Sequence, residues 1–167
     1  MPLGLNYSTG LLCNQMVPDL ELFPLFHGVD AHHLALLRPL FERATFRAGT
    51  TVVGQGEPAD YLYLVESGML EIVYKPYDGE PITITHLEMG GLFGWSAVVG
   101  SAEYTSSGIA VEDAAVIRVR GGDLRKLCAE HPDAGRAILD RLANAVSARW
   151  KDAHEQIKSL LKTGMSG

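Results

Sequence analysis

The segment from Phe93 to Ile109 has the residue types best suited to hold a ligand. Gly94 precedes what reads as one short helix, and a stretch rich in small and hydroxyl residues then leads back into a strand. Backbone N–H groups at the start of a short helix, beside a glycine that permits close approach, suit an anionic group such as phosphate. Yet the segment has no Lys or Arg, and its only charged residue is Glu103. The backbone pattern therefore indicates an anion-binding site, whereas the side chains lack the positive charge expected beside one.

Length, charge and cysteine content exclude several functional classes. The 167 residues suit one domain, and 14 basic against 20 acidic side chains give a net charge of −6, which argues against nucleic-acid binding by the whole chain. The two cysteines are too few for an iron–sulfur cluster or a structural zinc site. With only two cysteines and no disulfide expected between them, a reduced, cytoplasmic setting is favoured. No apolar run is long enough to span a bilayer, so we expect no membrane partner.

The N-terminal part of the chain is expected to form an arm over residues 1–18, followed by a short helical region. Asp30 is a suitable N-cap for a helix over Ala31–Phe41, with Val29 as half of a hydrophobic staple. Pro39 is expected to end or distort that helix near its last residue, because proline lacks the backbone N–H that a helix interior needs.

The middle of the chain predicts a sheet-rich domain. Short β-rich runs alternate with turn signals at about eight- to twelve-residue spacing, which favours a β-sandwich or a jelly-roll barrel, the latter also called a double-stranded β-helix. Tyr61, Tyr63 and Val65 alternate with Leu62 and Leu64, so both faces of that strand are expected to be covered. The expected strands are Thr45–Phe46, Thr51–Val53, Tyr61–Val65, Met69–Tyr74, Ile82–Leu87, Thr105–Val111 and Ala115–Val119.

The C-terminal region predicts two helices. One covers Gly122–Glu130, and a second begins at Pro132 and continues to about Leu161. The second helix has an apolar stripe at spacings of three and four, which favours a homodimer through this helix; the alternative is that the helix folds back on its own barrel. The stripe comprises Ile138, Leu139, Leu142, Val146, Trp150, Ala153, Ile157, Leu160 and Leu161. The predicted division is thus a β-roll domain with flanking helices over residues 19–131 and a dimerisation helix over residues 132–163.

Several motifs together resemble the cyclic-nucleotide-binding domain family, which includes the Crp–Fnr bacterial regulators. The resemblance covers roughly Leu22 to Leu161 and rests on glycines placed in register with strands. The matching motifs are Phe46-x-x-Gly49, Gly56-Glu57, Leu62-Tyr63-x-Val65, Ser67-Gly68, Ile72 and Leu87-x-x-Gly90-x-x-Phe93-Gly94. The fold implied is mainly β with flanking helices.

The resemblance also implies a ligand site, and this chain departs from it at two positions. In the family, Phe93-Gly94 would open a phosphate-binding cassette, where a Glu directly after the glycine binds the ribose and a later Arg binds the cyclic phosphate. Trp95 stands at the Glu position and Thr105 at the Arg position. An Arg–phosphate contact contributes about 1.5–3 kcal/mol. We therefore expect cAMP and cGMP to bind weakly or not at all.

The candidate ligand contacts follow from the same alignment. They are Gly94, Trp95, Ser96, Ala97, Thr105, Ser106 and Ser107, with Trp150, Ala153 and His154 as a lid from the long helix. Gly94 would permit close backbone approach, the next three residues would supply N–H groups, and the hydroxyls would face them. A neutral or weakly anionic ligand could stack on Trp95. The alternatives are an empty cassette, plugged by Trp95 and kept for fold and dimerisation, and residual nucleotide binding in an altered pose.

Other functional classes are less well supported by the sequence. Gly94-Trp95-Ser96-Ala97 lacks the second glycine of a hydrolase elbow, because Val98 follows, and we expect no enzyme activity and no metal. His86 and His154 could be axial heme ligands, although solvated histidines are favoured. No helix-turn-helix follows the long helix, so we expect no direct DNA binding. The sequence predicts a stand-alone regulatory ligand-sensing domain, which would act through dimer geometry or a protein partner; a structural dimerisation module is the alternative.

Overall fold

The structure, a computed structural model, describes residues 12–15 and 19–145 of the chain. Its strands follow the predicted runs closely, although half of the predicted strand boundaries shift by one to four residues. The strands are β1 Leu12–Gln15, β2 Phe41–Phe46, β3 Thr51–Val53, β4 Tyr61–Ser67, β5 Leu70–Tyr74, β6 Ile82–Leu87, β7 Leu92–Phe93, β8 Ser107–Ala110 and β9 Ala114–Arg120. Two of them were not predicted: β1, which lies in the expected N-terminal arm, and the two-residue strand β7.

The strands form two antiparallel sheets. Among the described residues, one sheet has the order β1-β2-β9-β4-β7 and the other the order β3-β8-β5-β6. The predicted β-roll is confirmed, but the predicted barrel is not closed, because β1 and β7 end one sheet and β3 and β6 end the other. The roll is therefore open at its edges, and loops connect the two sheets.

Helices cover the outer face of the first sheet. Helix α1 spans Ala31–Leu37, and the carboxylate of Asp30 accepts a hydrogen bond from the backbone N–H of His32 at 2.7 Å, as expected for an N-cap. The helix is shorter than predicted, because a 3-10 turn over Arg38–Leu40 contains Pro39 and β2 then begins at Phe41. Two further 3-10 turns precede α1, at Leu20–Leu22 and Pro24–Phe26.

Three further helices are described. They are α2 Ser96–Val99, α3 Gly121–Glu130 and α4, which covers residues 132–145 within the described range. The predicted short helix and the start of the long helix at Pro132 are confirmed. The predicted continuation of the long helix to Leu161 lies outside the described residues. None of the helices in the described ranges is long and apolar enough to cross a membrane.

Two apolar cores lie on opposite faces of the first sheet. The helical core lies between that sheet and the helices, and it includes Leu62 and Leu64 of β4. The roll core lies between the two sheets, and it includes Tyr63 and Val65 of the same strand. The predicted covering of both faces of β4 is confirmed, since alternate residues of one strand enter different cores.

The described part of α4 packs on its own domain. Ala134, Ile138 and Leu142 are each about 1% exposed, and the last two belong to the helical core. The guanidinium of Arg141 donates a hydrogen bond to the carbonyl oxygen of His27 at 2.6 Å, which ties the helix to the chain after the second 3-10 turn. These three positions therefore pack on the protein's own domain, as the fold-back alternative predicts. A dimer contact would have to use the other apolar residues of the predicted long helix.

Candidate functional site

Gly94 opens the predicted cassette in a conformation that only glycine accepts here. Its φ is +89°, and a β-carbon at this position would lie 2.6 Å from the carbonyl oxygen of Tyr61. Helix α2 follows directly, and the N–H of Ala97 donates to the carbonyl oxygen of Gly94 at 3.1 Å. The close backbone approach predicted for Gly94 is thus made to β4, and the N–H of Ala97 is used to close the turn.

Helix α2 is held in place by α3. The helix has only four residues, too few to be stable without tertiary support. Arg125 of α3 donates a hydrogen bond to the carbonyl oxygen of Ala97 at 2.5 Å, which satisfies a carbonyl at the end of α2. Gly121, the first residue of α3, lies so close that a β-carbon there would overlap the same carbonyl oxygen. The cassette helix is therefore fixed to the helical layer.

Trp95 and Ser96 lie at the start of α2, and both are half-buried. The indole of Trp95 packs against the helical core. Its role as a wall of the ligand pocket stays a prediction, as does the role of the backbone N–H of Ser96.

The segment that returns from α2 is pinned beside β4 by a tyrosine. The hydroxyl of Tyr104 donates to the carbonyl oxygen of Tyr61 at 2.7 Å and accepts from the N–H of Tyr61 at 2.9 Å. Because a β-carbon on Gly94 would also meet the Tyr61 carbonyl, the two halves of the predicted site both adjoin the start of β4. The structure thereby brings the start of the cassette close to the residue that precedes Thr105.

The predicted hydroxyl contacts differ in exposure. Thr105 is exposed, whereas Ser106 and Ser107 are half-buried. The hydroxyl oxygen of Ser107 accepts a hydrogen bond from the N–H of Gln55 at 2.9 Å, so this group also anchors the loop between β3 and β4. The roles of these three residues as ligand contacts stay predictions.

Aromatic rings fill the roll core beside the cassette. The rings of Tyr63 and Phe93 stack with their centroids 4.7 Å apart and their planes 8° from parallel. A β-carbon at Gly108 would lie 3.1 Å from the ring of Phe93, so this glycine leaves room for the ring. The interior next to Gly94 is therefore occupied by protein side chains.

A row of polar and aromatic residues crosses the first sheet at one end of the roll. Glu42, Arg118, Tyr63 and Phe93 are direct cross-strand neighbours on β2, β9, β4 and β7, so their side chains share one face. The Nε of Arg118 donates to the carboxylate of Glu42 at 2.9 Å, and its guanidinium carbon lies 4.1 Å from the centroid of the Tyr61 ring. This row connects an ion pair to the aromatic stack beside the cassette.

Burial and hydrogen bonding shift the pKa values of this row. Burial raises the pKa of Tyr63 to about 12, although the nearby guanidinium of Arg118, which donates a hydrogen bond to the hydroxyl, opposes the shift. Burial lowers the pKa of Arg118, but the Glu42 carboxylate and the hydroxyl of Tyr63 outweigh it, so the net shift is upward. Tyr63 is thus held neutral and Arg118 charged.

Replacing Tyr63 with phenylalanine is expected to reduce the loss of stability at alkaline pH. The folded pKa is about 12 and the reference value is 10.0, so between these values the unfolded chain ionises while the folded protein does not. The contribution of Tyr63 to the free energy of unfolding is fully present below pH 10, and it falls by about 2–3 kcal/mol as the pH approaches 12. Urea unfolding at about pH 9 and pH 11 should show that the free energy of unfolding falls less between these pH values in Tyr63→Phe than in the wild type. Tyr77→Phe, at a phenol that is 96% exposed, is the control and should follow the wild type; equal declines in all three proteins would contradict the expectation.

Arg118 and Tyr104 were not identified from the sequence. Tyr104 lies next to the predicted hydroxyl contacts, and Arg118 stands inside an otherwise apolar predicted strand, which is the one signal that could have singled it out. The contact partners of both residues lie far along the chain, so local patterns do not reveal them.

Other predicted candidates lie apart from the cassette or outside the described range. Trp150, Ala153 and His154 lie outside the described residues. His86 of β6 has a side chain 52% exposed, and its Nε2 lies 3.9 Å from the carboxylate of Glu71. Within residues 12–15 and 19–145, no group of three or more His, Cys, Asp or Glu residues is arranged to hold a metal ion.

Comparisons with known proteins agree with the fold. A family profile described as "Cyclic nucleotide-binding domain" matches residues 43–131. The "CRP-like cAMP-activated global transcriptional regulator" of Mycobacterium tuberculosis is 25% identical over 143 residues, which make up 86% of this chain and 62% of that protein. The chain therefore spans less than two thirds of the length of this curated relative.

Two solved structures share the architecture. A cyclic nucleotide-binding domain from Methylobacillus flagellatus has a TM-score of 0.77 at 18% identity, and the match covers 93% of this chain and 92% of that one. The Catabolite Activator Protein of Thermus thermophilus has a TM-score of 0.68 at 28% identity, with 82% of this chain and 62% of that one covered.

Proposed function

The chain belongs to the cyclic nucleotide-binding domain family, and we propose that it is a regulatory ligand-sensing domain whose pocket has diverged from tight cAMP or cGMP binding. What supports the proposal is a glycine turn followed by a short helix at the predicted cassette, together with two side chains that differ from those the family resemblance implies. Gly94 keeps its φ of +89° and α2 follows it, while Trp95 and Thr105 stand where the family resemblance places Glu and Arg.

Electrostatics favour a ligand without a full negative charge. The segment from Phe93 to Ile109 has no cationic side chain, and the chain has a net charge of −6. A cyclic phosphate placed there would lose solvation without gaining a guanidinium partner, which is costly in a site shielded from water. A neutral molecule with an aromatic body, such as a nucleoside, avoids this cost and can use the hydroxyls of Ser106 and Ser107.

A conformational change at the cassette would be transmitted to the helical layer through α3. Arg125 and Gly121 bind α2 to α3, and α4 starts just after α3 and packs on the helical core. A ligand that moves α2 would thus bias the position of the helical layer. A homodimer through the helix that the sequence predicts beyond residue 145, and a protein partner, are parts of the same proposal; no catalytic role is assigned.

Calorimetric titration tests the ligand class. We expect no micromolar binding of cAMP or cGMP, because the charged contacts to phosphate and ribose are missing. Guanosine and adenosine, which share the base and sugar but lack the charge, are expected to bind more tightly than their cyclic nucleotides. Micromolar affinity for cAMP or cGMP would contradict the proposal, and so would tighter binding of both cyclic nucleotides than of the corresponding nucleosides.

A second candidate function is an interaction module that binds no ligand. The observation that favours it is the Tyr63–Phe93 stack, which occupies the roll core beside Gly94. This candidate predicts that neither nucleosides nor cyclic nucleotides bind, even when the missing charged residues are supplied.

A further inference from the structure

A second cleft, of about 220 Å³, adjoins Tyr63 and Arg118 of the polar and aromatic row. Its lining includes Val53 of β3, Tyr63 of β4, Arg118 of β9 and the loop residues Asp60 and Tyr104. None of the described residues Gly94–Ala97 or Thr105–Ser107 lines it. The cleft therefore shares none of these residues with the cassette, although Tyr61 and Tyr104 of its lining adjoin the cassette. An inference about the ligand of the cleft does not depend on the proposed function.

One end of the cleft is positively polarised. The side chain of Arg118 is 11% exposed and stays charged next to Glu42. Arg118 donates to the hydroxyl of Tyr63, which, having accepted that bond, has its own proton to donate. Tyr63 is held neutral by burial, so it acts as a donor over the whole physiological pH range.

The other end carries negative charge. Asp60 and Glu57 line the cleft and are both exposed, so they stand at its rim. Burial raises the pKa of Tyr104, and the Asp60 carboxylate adds to this, while Arg118 acts in the opposite direction. The Tyr104 hydroxyl is thus influenced by the charges of both Asp60 and Arg118.

We propose that this cleft binds a small zwitterion, an α-amino acid or a molecule with the same ammonium and carboxylate groups. The carboxylate would accept from the hydroxyl of Tyr63 beside the charge of Arg118, and the ammonium would face Asp60 and Glu57. Val53 and the ring of Tyr104 supply an apolar wall for the carbon skeleton.

Size and charge separate this ligand from the alternatives. The cleft is smaller than the roughly 300–1,000 Å³ of pockets that hold drug-sized ligands, so a ligand with the size of a free amino acid suits it better than a nucleotide. A simple anion would be repelled by the two carboxylates at the rim, and a simple cation would leave the donors of Tyr63 unused. Only a molecule with both an ammonium and a carboxylate group can interact favourably with Tyr63 and Arg118 and also with the carboxylates at the rim.

An NMR titration of the 15N-labelled 167-residue chain tests this proposal. The probes are glycine and L-leucine, with acetate and methylammonium as the two half-ligands. We expect at least one amino acid to give saturable shifts of the amide signals of Val53, Asp60 and Tyr104, with affinity at least about tenfold higher than that of either half-ligand. Guanosine, by contrast, is expected to shift the signals of Gly94 and Ser96, so that failure at one site is distinguishable from failure at the other.

Three variants locate the binding. Asp60→Asn and Tyr63→Phe are each expected to weaken amino-acid binding about tenfold or more, because each removes one hydrogen-bonding or charged end of the cleft. Glu112→Gln removes an equal charge from an exposed turn and should bind like the wild type. The same spectra show whether each variant is folded. If Tyr63→Phe is unfolded, the affinity of Asp60→Asn is sufficient to test the proposal. No saturable shift up to about 10 mM, equal binding of a half-ligand, or unchanged affinity in a folded Asp60→Asn would each overturn the proposal.

Discussion

Replacing Gly121 with alanine is expected to destabilise the protein by about 3 kcal/mol or more. The added β-carbon would overlap the backbone carbonyl of Ala97, and neither group can turn away by a change of rotamer, so α2 and α3 would have to move apart. For a chain of this size the melting temperature is expected to fall by roughly 6–12 °C. Thermal unfolding followed by circular dichroism measures the change, and calorimetry on the folded variant shows whether displacement of α2 also alters ligand binding.

The neighbouring glycine supplies a matched control. A β-carbon at Gly122 would meet only the guanidinium of Arg125, at an ordinary contact distance of 3.8 Å. Because alanine favours a helix over glycine, Gly122→Ala is expected to be neutral or to stabilise the protein by about 0.5–1 kcal/mol. A Gly121→Ala protein as stable as Gly122→Ala would show that α2 is not held against α3 as described.

The second large effect is a gain of cyclic-nucleotide binding in the double variant Trp95→Glu with Thr105→Arg. Arg at position 105 would pair with the cyclic phosphate and Glu at position 95 would accept from the ribose, each worth about 1.5–3 kcal/mol. Together these contacts are expected to raise the affinity for cAMP by about two to four orders of magnitude, provided that the turn at Gly94 is kept. Calorimetry with cAMP measures the change.

Two controls separate charge from packing in this experiment. Trp95→Glu with Thr105→Met has a long but neutral side chain at the second position and should gain little. Trp95→Ala measures the stability lost when the indole leaves the helical core, against which Trp95 packs. A folded double variant that gains no affinity would favour the non-binding interaction module, because the Tyr63–Phe93 stack would then close the pocket.

Local features of the fold were predictable because neighbouring residues decide them. Asp30 caps α1 through the N–H of His32, two residues away, and the alternation in β4 sends Tyr63 and Leu64 to opposite cores. Both features depend on the geometry of a single element. The family resemblance rested on similar local signals, and the match over residues 43–131 confirms it.

Errors in the prediction arose where distant parts of the chain set the outcome. Strand β7 has only two residues and exists because it pairs with Tyr63 and Leu64 of β4, so no periodicity marks it. The apolar stripe of the long helix favoured a dimer, but its residues Ile138 and Leu142 belong to the helical core, and the dimer itself stays a prediction. An amphipathic helix shows that it needs a partner surface, and it does not show which surface that is.

The sequence by itself determined the β-roll class, the turn at Gly94 and the loss of both charged cassette positions, since each depends on residue type and short-range backbone geometry. Tertiary structure alone decided how α2 is fixed and where a second cleft lies. The bond from Tyr104 to Tyr61 spans 43 positions of the chain, and that from Arg118 to Glu42 spans 76. Contacts at such separations depend on how the two sheets and the helices pack together, which no local pattern of residues encodes.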